Sequence, residues 1–145
     1  MTNNNRNTTA YVTGLAGEFH AMELLLRKGH HPALTLGNAK SIDIVTYSPS
    51  GNRYDISVKS SRGGGKWPIG SRDYSASPYH EKLVFMFLLY KKFFDIDTTP
   101  EVWIIPAAEV EKIKRPWHSP TYGIFWSGEP KELLIPFKDA WEHLA

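Results

Sequence analysis

An aspartate, a serine and a lysine come together in one predicted β-hairpin. Residues 41–47 and 53–60 have the residue types and the alternation of two strands, and a loop containing proline, glycine and asparagine separates them. Asp43 lies in the first strand, and Ser57 and Lys59 lie on one face of the second because they are two residues apart. A carboxylate beside an ammonium group on an otherwise apolar hairpin indicates a site that handles charge.

The register of this hairpin decides whether the three side chains meet. If Tyr47 pairs with Arg53 across the loop, Asp43 lies opposite Ser57 and Lys59 joins them on the same face. A slip of one residue would move one partner to the other face. The apolar face would be formed by Ile42, Ile44, Tyr54, Ile56 and Val58. We therefore expect the apolar face to pack on a core and the polar face to contact water or a ligand.

A second acid lies on a helix predicted ahead of the hairpin. Residues 11–28 repeat apolar side chains at intervals of three and four, and Gly29 follows as a stop signal. The apolar stripe, which we expect to face the core, comprises Val12, Leu15, Ala16, Phe19, Met22 and Leu26. Glu18 lies at the border of this stripe, where a helix acid is half-buried.

Glu18 and Asp43 together have the chemistry of a magnesium site. Mg²⁺, or Mn²⁺ in its place, prefers carboxylate oxygens and keeps several waters, which suits phosphate substrates. A cation held by Asp43, with Glu18 binding directly or through water, would neutralise a phosphodiester and lower the pKa of a bound water. Lys59 could orient that water or stabilise the developing charge.

A basic, glycine-rich segment follows the hairpin and supplies candidate contacts to DNA. Residues 61–70 are predicted to be a mobile loop. We expect Arg62, Lys66 and Arg72 to contact phosphates, and Trp67 to pack on sugar or bases. The Gly-Lys pair is not a phosphate-binding P-loop, because Trp67 stands where that motif needs Ser or Thr. No nucleotide cofactor is therefore expected.

Length and composition predict one globular domain. The 145 residues contain no cysteine, so disulfides and thiolate metal sites are excluded, and a net charge of +2 does not by itself indicate nucleic-acid binding. We expect a disordered N-terminal tail over residues 1–9 and a single domain over residues 10–145. The sequence has no membrane-length apolar run and no apolar core of a signal peptide, so we expect a cytoplasmic location and no membrane partner.

The remaining pattern predicts a mixed sheet. Further strands are predicted at residues 32–36, 83–90 and 101–106, with weaker strand signals at 124–126 and 133–135. A short helix is predicted over residues 107–114 and a terminal helix over residues 136–144. This order favours an α/β fold, or an α+β sandwich, with a central mixed β-sheet flanked by helices.

Two other chemistries find little support in the sequence. A zinc site needs three or four ligands at workable spacing. The histidines are instead scattered: His20, His30, His31, His80, His118 and His143. Composition does not exclude a Ser-His-Asp triad, but the chain has no Gly-x-Ser-x-Gly elbow to favour one.

The ordered set of motifs resembles the PD-(D/E)XK nuclease superfamily, whose fold is called restriction-endonuclease-like or Holliday-junction-resolvase-like. The matching motifs are Gly17-Glu18, Ser41-Ile42-Asp43-Ile44-Val45 and Ile56-Ser57-Val58-Lys59-Ser60. The predicted strand at 101–106 and the closing residues 137–141 also look like elements of small bacterial members, so the resemblance covers about residues 15–144. In the family, the helix acid and the first strand's Asp bind metal, and the second strand supplies an acid or Gln two residues before a catalytic Lys.

The resemblance implies an Mg²⁺- or Mn²⁺-dependent endonuclease that hydrolyses DNA phosphodiester bonds. The implied catalytic residues are Glu18, Asp43, Ser57 and Lys59, with Asp43 and Glu18 as the metal ligands. It is also compatible with a homodimer, because such nucleases often cut two strands.

Ser57 departs from the family's pattern, because a neutral hydroxyl is a poor Mg²⁺ ligand beside a carboxylate. Three interpretations stay open. Ser57 binds through water while Glu18 supplies the missing charge, or Asp55 substitutes for it if the strand bulges. Otherwise the chain no longer cleaves and is a DNA-binding or protein-interaction module. If it binds no DNA, an interaction protein is favoured, using the aromatic residues Trp117, Tyr122 and Trp126.

Overall fold

The computed structural model describes residues 2–35, 42–75, 81–126 and 131–145. Helix α1 spans Thr2–Arg27 and helix α2 spans Ala107–Ile113. The strands are β1 (His31–Leu34), β2 (Ile44–Tyr47), β3 (Arg53–Arg62), β4 (Lys66–Gly70), β5 (Leu83–Tyr90), β6 (Glu101–Pro106), β7 (Arg115–Pro116) and β8 (Tyr122–Phe125). Residue 36 of a predicted strand, residue 41 of the hairpin and His80 lie outside the described residues.

Five strands form a central mixed sheet in the order β1-β2-β3-β5-β6. Strand β3 pairs antiparallel with β2 and parallel with β5, and the crossover between the two parallel strands contains β4. Strands β4, β8 and β7 form a separate three-stranded sheet. The prediction of a mixed α/β fold with a central mixed sheet and helices is confirmed.

Each face of the central sheet is covered by its own apolar core, and β5 contributes to both. Its odd-numbered residues from Leu83 to Leu89 pack with residues of β4, β8 and α2. Its even-numbered residues from Val84 to Leu88 pack with residues of α1 and the chain's end. The unbroken apolar run in the sequence therefore is a strand buried on both faces, as predicted.

The β2–β3 hairpin has the predicted register. Tyr47 pairs with Arg53, and the ladder ends where Ile44 pairs with Ile56. Beyond this pair the chain leaves the ladder, and Asp43 contacts β3 through the Ile56 carbonyl and the Val58 N–H. The register of the hairpin, and with it the proximity of Asp43 to this part of β3, was predictable from the length of the loop and the alternation of side chains.

The two faces of the hairpin differ from the prediction in two respects. Ile56 and Val58 pack on the α1 side as expected, but Ile42 packs in the opposite core because the chain has left the ladder there. We expected the polar face to contact water or a ligand, but at Ser57 this face is closed to bulk water. Ser57 is 1% exposed, because the same face of the sheet carries Phe85 and is covered by the second sheet.

Residues 66–70, predicted to be part of a mobile loop, form strand β4 instead. Strand β3 also continues to Arg62, so a short glycine turn of residues 63–65 links the two strands. In β4, Trp67 and Ile69 alternate inward and β8 pairs along one edge. The three preceding glycines hid this alternation in the sequence.

Helix α1 begins at Thr2 and so includes residues that we expected to be disordered. Once a helix is nucleated, each further residue adds one backbone hydrogen bond, so a polar tail can extend it. The domain boundary at residue 10 stays a prediction. No helix in the described ranges combines the length and the apolar character needed to cross a membrane.

Helix α1 packs on the sheet with a different face from the one predicted. The buried positions are Thr13, Gly17, Ala21 and Leu25, at intervals of four. Most of the predicted apolar stripe, including Phe19, is instead exposed. Small residues let the helix approach the sheet closely, and a count of apolar residues does not detect such a face.

The C-terminal region consists of short 3₁₀ turns rather than a strand at 133–135 and a helix over 136–144. These turns are Lys131–Leu133, Ile135–Phe137 and Trp141–Leu144. Lys138 bridges to Trp103 of β6, and Asp139 donates its N–H to the sheet with a φ of 51°, which interrupts a helix. Ala140 and Leu144 are buried.

Candidate active site

Asp43 lies where β2 and β3 separate, immediately before the first residue of β2. Its N–H donates to the Ile56 carbonyl at 2.8 Å, and its Oδ2 accepts the Val58 N–H at 2.7 Å. The side chain thus replaces a backbone acceptor that β2 would have supplied had it continued. One backbone hydrogen bond and one hydrogen bond to the carboxylate therefore fix Asp43 against β3.

Glu18 reaches the same place because α1 approaches β3 closely at the preceding residue. A Cβ on Gly17 would overlap the Ser60 hydroxyl and lie 2.9 Å from Ser60 Cβ. Only glycine allows this approach. It brings the half-buried Glu18 side chain into hydrogen-bonding contact with the carboxylate of Asp43.

The surroundings of Glu18 disfavour the charged form of its carboxyl group. Burial, followed by the negative charge of Asp43 and its hydrogen bond, raises the pKa of Glu18 above the ordinary 4.5. This arrangement fits a cation, which would relieve the repulsion and accept both oxygens. Among the described residues, no group of three or more His, Asp or Glu side chains is placed to hold a metal. A hard cation would therefore keep several waters or bind substrate oxygens as well.

Lys59 lies on β3 two residues after Ser57 and is half-buried. Burial lowers the pKa of Lys59 below 10.5, the Asp43 carboxylate opposes this effect, and the Arg72 guanidinium adds to it. Asp43 is thus within electrostatic range of both Glu18 and Lys59. The structure brings together the three ionisable residues that the sequence singled out.

Ser57 contributes a buried hydroxyl rather than a third carboxylate. Within the described part of the chain, no hydrogen-bond partner reaches its Oγ. An unpaired buried hydroxyl is unfavourable by about 1–3 kcal/mol. A water or a ligand oxygen at this position would remove that penalty.

Asp55 does not reach the site. The β2–β3 ladder runs without a register shift and pairs Asp55 with Val45. Its carboxylate forms an ion pair with Arg53 at 3.1 Å. The bulge that would have let Asp55 replace Ser57 is therefore not found in this ladder.

The basic residues predicted to contact DNA occupy three different environments. Lys66 is exposed at the start of β4. The Arg62 guanidinium lies 3.7 Å from the centre of the Phe93 ring, and Arg72 lies within electrostatic range of Lys59. Contact between these residues and DNA stays a prediction.

Trp67 is a core residue, which contradicts its predicted packing on sugar or bases. Its side chain is fully buried, and its Nε1–H donates to the Leu88 carbonyl at 3.0 Å. Its ring centre lies 5.3 Å from that of Phe87 and 5.4 Å from that of Trp103. The side chain joins the two sheets and is not placed to reach a ligand.

The aromatic residues considered for a protein interface are half-buried on and beside the second sheet. Trp117 contacts Phe125 with ring centres 5.5 Å apart, and Trp126 contacts Trp103 at 5.0 Å. The ammonium group of Lys114 lies 4.2 Å from the ring centre of Tyr122. These contacts explain the rings as packing within the chain.

The sequence did not reveal the positioning role of two residues, Thr35 and Gly17, although Gly17 belongs to a quoted motif. Thr35 donates its Oγ1 to the Ile42 carbonyl at 2.6 Å and its N–H to the Asp43 carbonyl at 2.9 Å, which holds the start of β2. Gly17 sets the distance between helix and strand. A glycine inside a helical pattern is a usable signal, because it lowers helix stability by about 1 kcal/mol relative to alanine and so raises the question of a close contact. Thr35 carried no such signal.

The comparisons with known proteins address the fold. No protein-family model matches the sequence, and no curated protein matches it. Among solved structures, the bacterial homing endonuclease I-Ssp6803I aligns with a TM-score of 0.62 and 16% identity, over 92% of this chain and 91% of that one. The two chains share their fold nearly from end to end. This chain therefore has a mixed α/β fold that is also used by a nuclease.

Proposed function

We propose that this chain is a PD-(D/E)XK-like endonuclease that hydrolyses DNA phosphodiester bonds with Mg²⁺ or Mn²⁺. The observation that carries the proposal is the contact between the Glu18 and Asp43 carboxyl groups, with Lys59 in electrostatic range of Asp43. The fold shared with a homing endonuclease supports it. The restriction-endonuclease-like assignment of the sheet is part of this proposal.

The residues fit a hard divalent cation. Asp43 is the first ligand, held by the Val58 N–H, and Glu18 is the second, directly or through water. When bound, the cation supplies charge neutralisation at the phosphate and a lowered pKa for water. The unpaired Ser57 hydroxyl would donate to or accept from a water in this first hydration layer.

The basic residues bind the substrate and orient the attacking water. The partly buried Lys59 ammonium orients the attacking water or stabilises charge on the phosphate oxygens. Arg72, near Lys59, contacts the phosphodiester backbone, and Lys66 and Arg62 contact phosphates further along. In this proposal DNA is the partner, and no nucleotide cofactor takes part.

Cleavage of supercoiled, linear and branched DNA, with Mg²⁺ or Mn²⁺, tests the proposal. Asp43→Ala and Lys59→Ala should each lower the rate of cutting at least about 100-fold, since each removes a group at the reacting phosphate. Asp55→Ala is the matched control, because its carboxylate lies on the same hairpin but is paired with Arg53. It should cut like the wild type. Equal cutting by all variants would reveal a contaminating nuclease and remove the basis for the assignment.

A second candidate is a DNA-binding protein that does not cleave, and the observation that favours it is Ser57. The position two residues before Lys59 holds Ser57, a neutral and buried hydroxyl. The site therefore has two carboxyl groups, one fewer than a site with an acid at this position would have. This candidate predicts binding without cutting under every metal condition. Its affinity should fall steeply with salt, by a slope of roughly 0.9 per phosphate contacted on a double-logarithmic plot.

A further inference from the structure

Helix α1 carries a second apolar face that is largely exposed in the described structure. The face consists of Val12 (40% exposed), Leu15 (38%), Phe19 (56%) and Leu26 (58%), with the partly buried Met22 between the last two and Tyr11 (68%) beside them. Single exposed apolar residues are ordinary, but a contiguous row of them on one helix marks an interaction surface. We call this row the α1 seam.

The α1 seam has the spacing of a helix that packs along another helix. Its five positions from Val12 to Leu26 are separated by three, four, three and four residues, which is the 3.5-residue period of a coiled coil. At about 100° per residue, they fall within a narrow arc centred roughly 150° from the face that packs on the sheet. The helix therefore presents one face to its own sheet and the other to a partner helix.

The spacing, the area and the composition of the seam point to a second copy of this chain as the partner. From the exposed fractions, the seam and Tyr11 offer roughly 500 Å² on one copy, so a symmetric pair would bury about 1,000 Å², the lower bound of a specific interface. The neighbouring Glu23 and Arg27 are 3.8 Å apart and offset each other's charge, so the flank does not repel a like copy. We propose that two copies associate through the α1 seams, packed along each other.

This dimer places the two candidate active sites on neighbouring helices. Glu18 lies on α1 between the first and last residues of the seam, and its side chain is on the border between the seam and the face that packs on the sheet. Association through the seam does not depend on cleavage, because it rests on the spacing, area and composition of the seam, and its test uses neither DNA nor metal.

Sedimentation equilibrium of the full chain over about 1–100 µM tests the inference. The wild type should approach twice its 16.5 kDa mass at the upper end of this range. Leu26→Glu should weaken association at least about tenfold, and Val12→Glu with Leu26→Glu should abolish it. Ile96→Glu is the matched control, because Ile96 is the same type of residue, exposed on the β5–β6 loop, and should leave the dimer intact.

Circular dichroism of each variant separates loss of association from loss of folding, and these exposed substitutions should leave the spectrum unchanged. A wild type that stays monomeric at about 100 µM would overturn the inference. So would a folded double variant that still dimerises, or an Ile96→Glu variant that dissociates.

Discussion

At the scale of single residues, Glu18 and Asp43 form the proposed metal site but lower the stability of the folded chain. Glu18 and Asp43 touch, and burial adds to the repulsion between them, so the free protein carries a penalty that a bound cation would relieve. Asp43 also accepts the Val58 N–H and so holds the strand end. Glu18 has no comparable backbone bond in the described structure, and its role is therefore easier to separate from folding.

Glu18→Gln should therefore stabilise the protein in the absence of divalent cations. Removing the like charge beside Asp43 raises the free energy of unfolding by roughly 0.5 kcal/mol near neutral pH, as measured by urea denaturation with a chelator present. The same variant should lose cleavage. Glu23→Gln is the control on the same helix, because Glu23 faces Arg27 at 3.8 Å and its loss should not stabilise. A destabilised Glu18→Gln variant would contradict the repulsion.

Much of the site at this scale followed from the sequence. Asp43 and Lys59 were predictable because the alternation of a strand and the length of one loop determine their faces. The approach of Glu18 was only partly predictable, since it depends on the depth at which a helix packs. The burial of Ser57 and Trp67 was not predictable, because the second sheet that covers them is assembled from residues far apart in the chain.

At the scale of elements, the contact between α1 and β3 sets the geometry of the acidic pair. Gly17 lies against Ser60, and the next residue of the helix is Glu18. Helix α1 buries small residues toward the sheet, so its position depends on close packing rather than on large apolar side chains. A change of one methyl group at this contact is therefore felt at the site.

Gly17→Ala and Gly14→Ala make a matched pair on α1. At Gly17 the added methyl meets the Ser60 side chain, so we expect a loss of about 1–3 kcal/mol from overpacking, together with reduced cleavage as Glu18 moves. At Gly14 no described atom lies within 4 Å of the added methyl. There the better helix propensity of alanine should stabilise by up to about 1 kcal/mol. Thermal unfolding of both variants measures the difference, and equal effects would show that the Gly17 contact does not matter.

The helix also shows where sequence patterns mislead at this scale. The three-four spacing from Val12 to Leu26 correctly indicated a helix but was assigned to the wrong partner. The face that binds the sheet, Thr13, Gly17 and Ala21 with Leu25, has little apolar content. Residues at intervals of four that are small are a packing signal of their own, and hydrophobicity alone ranks them low.

At the scale of the whole molecule, His30 connects the end of α1 with β2 and the chain's end. It is buried, its Nδ1 lies 3.1 Å from Thr46 Oγ1, and the backbone of Leu144 also forms a hydrogen bond with the ring. Burial lowers the pKa of His30 below the ordinary 6.5, the Leu144 backbone opposes this effect, and His31 adds to the lowering. The folded state is therefore more stable with the His30 ring neutral than with it protonated.

Stability should fall as the pH drops below 6.5. Below this pH, His30 is protonated in the unfolded chain but stays neutral in the folded one. The free energy of unfolding therefore decreases by up to about 1.4 kcal/mol per pH unit, until the pH reaches the lowered pKa of His30 in the folded state. His30→Gln should flatten this slope, whereas His31→Gln at the exposed neighbouring position should retain it. His20, whose pKa burial also lowers, contributes to the remaining slope. Urea denaturation at pH 7.5 and pH 5.5 measures these differences, and an unchanged slope in His30→Gln would contradict this account.

The overall architecture was predictable in outline only. The hairpin, the doubly buried strand β5 and strand β6 follow local patterns, and each was found near its predicted place. The second sheet was not predictable, because β4 contains glycine and proline and pairs with β8, more than 50 residues away. The terminal turns were mistaken for a helix because their apolar residues have helical spacing, while the positive φ of Asp139 breaks the helical backbone.

The hydrogen bond from the Val58 N–H to Asp43 should make the distance between Asp43 and Lys59 vary less than the distance between Asp43 and Glu18. Asp43 and Lys59 are tied to the same strand, so thermal fluctuation changes their separation little. Glu18 belongs to a helix that contacts β3 through packing at Gly17, so we expect its position relative to β3 to vary more. Fluctuations in the chain's metal-binding geometry should consequently run along the axis of α1. A partner that binds the outer face of α1 would reduce these fluctuations without contacting Glu18 or Asp43.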